Sequence, residues 1–102
     1  MSIEKVVAWG EKRETDGLIT YRIQAKLKGK RELNSLMKEF QGWKHAGEGY
    51  DPNNQKTILI MMRIFEDKQS WMKFARTLPF MVEEVNQRTG KKKVINAKRK
   101  RA

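Results

Sequence analysis

The sequence predicts a small α+β domain with element order ββαββα, and three observations predict it. From Leu18 to Lys28 the chain alternates, with Ile19, Tyr21, Ile23, Ala25 and Leu27 on one side and Thr20, Arg22, Gln24, Lys26 and Lys28 on the other, the period of a half-buried strand. Lys56 to Phe65 (KTILIMMRIF) is the most apolar run, too short to span a membrane and rich in β-branched residues. Two segments have helical spacing: Leu33, Leu36, Met37 and Phe40, then Trp71, Phe74, Ala75 and Leu78.

In chain order, Ile3 to Trp9 is a short apolar run, and Asp16-Gly17 supplies a turn joining it to the alternating strand as a hairpin. Gly29 breaks the alternation, and the first helix follows until Gly42, a residue suited to a left-handed cap. Trp43 to Tyr50 is glycine-rich and weakly patterned, and Asp51-Pro52-Asn53-Asn54 is a turn signal. Together with Lys56 to Phe65 they read as a second hairpin whose first strand lies at an edge. Asp67 can cap the second helix. Pro79 should kink or restart it, with Thr77 as a new cap and Phe80, Met81, Val82 and Val85 on the continuing segment. Gly90 reads as its stop.

The order ββαββα is similar to a ferredoxin-like βαββαβ fold whose last strand has moved to the front. That likeness implies a four-stranded, mainly antiparallel sheet in the order 1-2-4-3, with both helices on one face. At 102 residues the chain supports one domain, expected over residues 1–87, with a basic, flexible tail over 88–102.

The formal charge is +11, from 23 Lys and Arg against 12 acids. Arg88, Lys91, Lys92, Lys93, Lys98, Arg99, Lys100 and Arg101 lie in the tail without an acid, leaving only +3 for residues 1–87. Such charge favours polyanions, because each cation that neutralises a phosphate releases condensed counterions. Charge alone, without a lipid or an amphipathic apolar face, is a weak membrane anchor. The absence of cysteine excludes disulfides, and one histidine excludes most zinc constellations, so neither metal nor cofactor is expected. The N-terminal residues lack the apolar core of a signal peptide, which suggests an intracellular protein of the cytoplasm or of the nucleus or nucleoid.

Two further clusters can carry function. If the wholly apolar positions Ile58, Ile60, Met62 and Ile64 lie under the helices, the open sheet face carries Leu59, Met61, Arg63 and Phe65 beside Arg22, Gln24 and Lys26. Phe65 would then stack an unpaired base while Arg22, Lys26 and Arg63 meet phosphates. The competing use of that face is a homodimer or protein-docking interface through Leu59, Met61 and Phe65. The other cluster is Trp43, Lys44, His45 and Tyr50, aromatic and cationic groups in a glycine-rich stretch. Its bland reading is a loop pinned to the core.

No catalytic constellation emerges, since His45 beside Glu48 in a loop lacks the positioned geometry that proton transfer needs. The function expected is a non-enzymatic, nucleic-acid-binding accessory or regulatory protein with affinity mainly from its tail. The alternative is a protein-binding regulator or inhibitor docking through the open face or an edge strand.

Overall fold

A computed structural model describes residue 3 and residues 5–97. The elements are β1 (Lys5–Lys12), β2 (Ile19–Leu27), α1 (Lys30–Glu39), β3 (Lys44–Asp51), β4 (Lys56–Phe65), α2 (Lys68–Thr77), β5 (Met81–Val85) and β6 (Lys92–Asn96). They form one six-stranded mixed sheet in the order β3-β4-β2-β1-β5-β6. All pairings are antiparallel except β1 with β5. The four-stranded, mainly antiparallel ferredoxin-like sheet expected from the sequence is therefore incorrect. The expected run β3-β4-β2-β1 is present, but β5 and β6 extend it and make it mixed.

The first error lies at Pro79. The residue before a proline is disfavoured in the helical region, and Leu78 is extended with ψ 145°. The chain does not restart as a helix; it becomes β5, with Phe80 and Val82 fully buried. Glu84, two residues on, accepts a 2.8 Å hydrogen bond from Trp71 Nε1. A carboxylate at the third alternate position hid the period of two.

The second error is the tail. Asn86 Oδ1 accepts from the amides of Arg88 and Thr89, and Gly90 adopts φ +73°, so Asn86 to Lys91 is a hairpin turn rather than a helix stop. The chain returns as β6, in which Ile95 and Asn96 are buried. Asn96 Nδ2 donates to Ala75 O at 2.8 Å and Leu78 O at 3.0 Å, closing carbonyls that a helix C-terminus leaves without intrahelical partners. The unpacked tail expected from Arg88 onward does not hold over residues 92–96.

The core lies on one side of the sheet, beneath both helices. Tyr21, Ile23 and Ala25 meet Leu36 of α1, Phe40 at its C-cap, and Trp71 and Ala75 of α2 in one buried cluster. Its aromatic centre includes Tyr21 stacked on Trp71, with centroids 4.5 Å apart. Trp43 lies between Phe40, Phe65, Trp71 and Phe74. Among the described residues the opposite face of the sheet carries no helix. Among the described residues no helix is long and apolar enough to cross a membrane.

Candidate nucleic-acid interface

Which residues occupy the uncovered face follows from register. Ala25 pairs with Leu59, Ile23 with Met61 and Ile19 with Phe65. Directly paired residues point to the same face, so the odd positions of β4 lie with the odd positions of β2. Leu59, Met61 and Phe65 are buried, Phe65 with only 7% exposure. The expected assignment of the two β4 faces is reversed. The cause is Arg63, which stands on the helix-side face and looked incompatible with it. Its guanidinium lies 5.1 Å above the Phe65 ring and 6.0 Å from that of Phe74, so the stem covers aromatic surface while the charge stays exposed.

The uncovered face therefore carries the wholly apolar column Ile58, Ile60, Met62 and Ile64, the last 43% exposed. Gly47 and Gly49 of β3 pair with Ile60 and Ile58 and leave that side of the column unshielded. On the other side Arg22 pairs with Met62, and Trp9 of β1 pairs with Arg22. Lys44 pairs with Met62 from β3. One row across the sheet thus reads Trp9, Arg22, Met62, Lys44, a thioether between two cations with an aromatic beyond the first. The next row reads Glu83, Val7, Gln24, Ile60 and Gly47.

One end of this face is strongly basic. Lys5, Lys26, Lys28, Lys56 and Lys92, with Glu32 as the one acid, line a depression of about 350 Å³. Glu83 Oε1 lies 3.7 Å from Lys5 Nζ and 3.9 Å from Lys92 Nζ, too far for a hydrogen bond to either, and this buried oxygen has no hydrogen-bond partner. Lys26 Nζ lies 3.5 Å from Asp51 Oδ2. The Asn54 side-chain amide, followed by the amides of Asn53 and Asn54 and the charge of Lys26, holds the Asp51 carboxyl below its ordinary range. Arg22 Nη1 is 3.6 Å from Glu11 Oε2. Among the described residues neither Lys28 nor Lys56 is in an ion pair.

The sequence-predicted residues separate accordingly. Arg22, Lys26, Lys44 and Lys92 share the uncovered face. Arg63 and Phe65 lie on the helix side. His45, paired with Met61, also faces the helix side, and Trp43 is buried in the aromatic core. Arg88 and Lys91 lie in the β5–β6 turn, and Lys93 pairs with Glu84 on the helix side. Lys98, Arg99, Lys100 and Arg101 lie outside the described residues.

Sequence reasoning missed Trp9, Lys5, Lys28 and Lys56. In Val6-Val7-Ala8-Trp9 every position is apolar, so no alternation reveals that Val6 and Ala8 face the core while Val7 and Trp9 do not. Among the described residues no group of three or more His, Cys, Asp or Glu is placed to hold a metal ion. No family model matches the chain, and neither a curated protein nor a solved structure matches it.

Proposed function

We propose that the protein binds single-stranded nucleic acid on the uncovered sheet face, as a non-enzymatic accessory or regulatory factor inside the cell. The observation that carries this reading is the row Trp9, Arg22, Met62, Lys44 beside a depression lined by five lysines. An unpaired base stacks on the Trp9 indole, and the strand's phosphates run along Arg22, Lys44 and the lysine depression. Lys98, Arg99, Lys100 and Arg101 add affinity that depends on charge rather than on sequence.

Titration of labelled single-stranded oligonucleotides at several salt concentrations tests it. The full chain and a chain ending at Ala97 are compared, because ending earlier removes β6. Log affinity falls linearly with log salt, by about 0.7 per phosphate contacted, and loss of the four terminal cations flattens that slope by up to about 3. Trp9→Ala weakens binding about tenfold in both chains, in line with the roughly 1–3 kcal/mol that a stacked base contributes. Equal affinity for Trp9→Ala and the parent in the chain ending at Ala97 would remove the sheet platform. No binding by the full chain at low salt would sink the whole reading.

The apolar column Ile58, Ile60, Met62 and Ile64 favours a second reading, a homodimer formed by two uncovered faces. Charge opposes it, since each copy brings the same lysine-lined depression. Sedimentation across a dilution series decides: a species of twice the chain mass that Ile60→Glu converts to monomer supports the dimer, and a monomer throughout removes it.

A further inference from the structure

β1 and β5 are neighbouring parallel strands, paired from Lys5 with Met81 to Ala8 with Glu84. Beyond Lys12 the chain turns to β2 on one side of β1, and beyond Val85 it turns to β6 on the other side of β5. Parallel strands whose connections leave in opposite directions open a crevice at their C-terminal ends, which is where open α/β sheets hold ligands. Here that crevice has a volume of about 670 Å³, within the size range of small-molecule sites. Gly10, Lys12, Tyr21, Lys68, Glu84 and Arg88 are among the residues that line it.

Tyr21 is the one buried side chain of this lining, 3% exposed. Trp71 stacks on its ring, and a Cβ at Gly10 would come within 2.6 Å of the ring. The phenol oxygen lies on the ring axis, so no rotation of the ring moves it to a new partner. Among the described residues its hydroxyl makes no hydrogen bond. The polar side-chain atoms that are sealed from solvent without a partner are Trp43 Nε1 and Glu83 Oε1. The Tyr21 hydroxyl is not one of them, so it keeps accessible surface and opens into the crevice. A tyrosine buried to this extent ordinarily satisfies its hydroxyl.

Glu84 stands beside it with capacity to spare. Its Oε1 accepts from Trp71 Nε1 at 2.8 Å, whereas Oε2 lies 3.8 Å from Lys68 Nζ, too far for a hydrogen bond. The carboxylate is near enough to the Tyr21 hydroxyl to oppose its ionisation. This charge repels an anion from the innermost position, and Lys68 repels an ammonium. A neutral hydroxyl suits both, because it donates to Glu84 Oε2 and exchanges a hydrogen bond with Tyr21. Farther out Lys12 and Arg88 carry positive charge, and among the described residues neither is in an ion pair. Of the acids around them, Glu11 is 3.6 Å from Arg22, which leaves Glu14. The crevice is thus an acceptor pair for hydroxyls with a cationic outer wall.

We infer that it binds a small phosphorylated polyol, such as a sugar phosphate. Adjacent hydroxyls meet Glu84 and Tyr21, and the phosphate meets Lys12 and Arg88. None of Trp9, Arg22, Lys44 or the five lysines of the depression takes part, so this site and the nucleic-acid platform stand or fall separately.

The test titrates ribose 5-phosphate, ribose and inorganic phosphate into the isotope-labelled full chain at constant ionic strength, with the assigned indole N–H resonances as readout. Trp71 Nε1 donates to the same carboxylate that takes the hydroxyls. Ribose 5-phosphate therefore moves the Trp71 resonance saturably and leaves that of Trp9 in place. Its affinity exceeds that of either other probe by about threefold or more. Tyr21→Phe keeps the ring, weakens ribose 5-phosphate by about threefold to tenfold and leaves inorganic phosphate unchanged. Arg88→Gln weakens both phosphate-bearing probes, whereas Lys73→Gln, on α2 outside the crevice, weakens neither. Arg88 and Lys73 are exposed, so both of these variants fold. Equal affinity for ribose 5-phosphate and inorganic phosphate overturns the polyol assignment. Equal loss in Arg88→Gln and Lys73→Gln, or no saturable movement of the Trp71 resonance, overturns the site.

Discussion

Tyr21 links local packing to solution behaviour. Its ring is 3% exposed and stacked on Trp71, and burial, with the Glu84 carboxylate nearby, pushes its hydroxyl up to about 12. The folded chain therefore holds this proton more tightly than the unfolded chain, whose tyrosine titrates near 10. The resulting stability is complete below pH 10 and is lost as pH rises toward 12. Denaturant unfolding over that window should show a loss of about 2–3 kcal/mol that Tyr21→Phe abolishes. Gly10 faces the same ring: a Cβ there would lie 2.6 Å from Tyr21 Cε1. With Trp71 behind it and Phe65 at its edge, the ring has no room to retreat. Gly10→Ala is expected to cost about 1–3 kcal/mol by overpacking, measured as a lower denaturant midpoint at unchanged slope.

At the scale of elements, α2 depends on a strand that lies beyond it in the chain. Asn96→Ala removes the donor to Ala75 O and Leu78 O and should destabilise the protein by about 1–3 kcal/mol. Hydrogen exchange should rise first at the end of α2 and along β6. Much of the element plan was legible in the sequence: β2 from its clean alternation, α1 and α2 from helical spacing, and β3 as an edge strand from its glycines. What was not legible depends on partners distant in sequence. The sequence MVEEV satisfies a helical period as well as a strand period until Trp71 claims Glu84. KKKVIN reads as tail composition until β5 offers it an edge and Asn96 finds carbonyls. The inward face of β4 was misjudged by counting apolar residues, since Arg63 can lie over aromatic rings while four apolar side chains face outward. The candidate site suffered most, because Trp9 becomes part of it only through register with Arg22.

For the whole molecule, the two faces of the sheet differ in character. A cationic, half-apolar surface lies on one side, and a largely apolar cavity beside α1 lies on the other. If the first binds nucleic acid, the folded state is stabilised by mass action, by about 2.7 kcal/mol at a strand concentration 100 times Kd. Thermal melting with excess oligonucleotide should therefore rise at low salt and return to the free value at high salt; no rise at low salt counts against the platform. The interior position of β1 has another consequence. Its antiparallel neighbour β2 follows at once, but its parallel neighbour β5 begins about 70 residues later. At a synthesis rate of roughly 5–20 residues per second, the unpaired edge of β1 waits on the order of ten seconds for its second partner. Throughout that interval Val6 and Ala8 belong to a nascent hairpin with no neighbour on one side. An edge left open for that long is where pairing with another chain competes with folding.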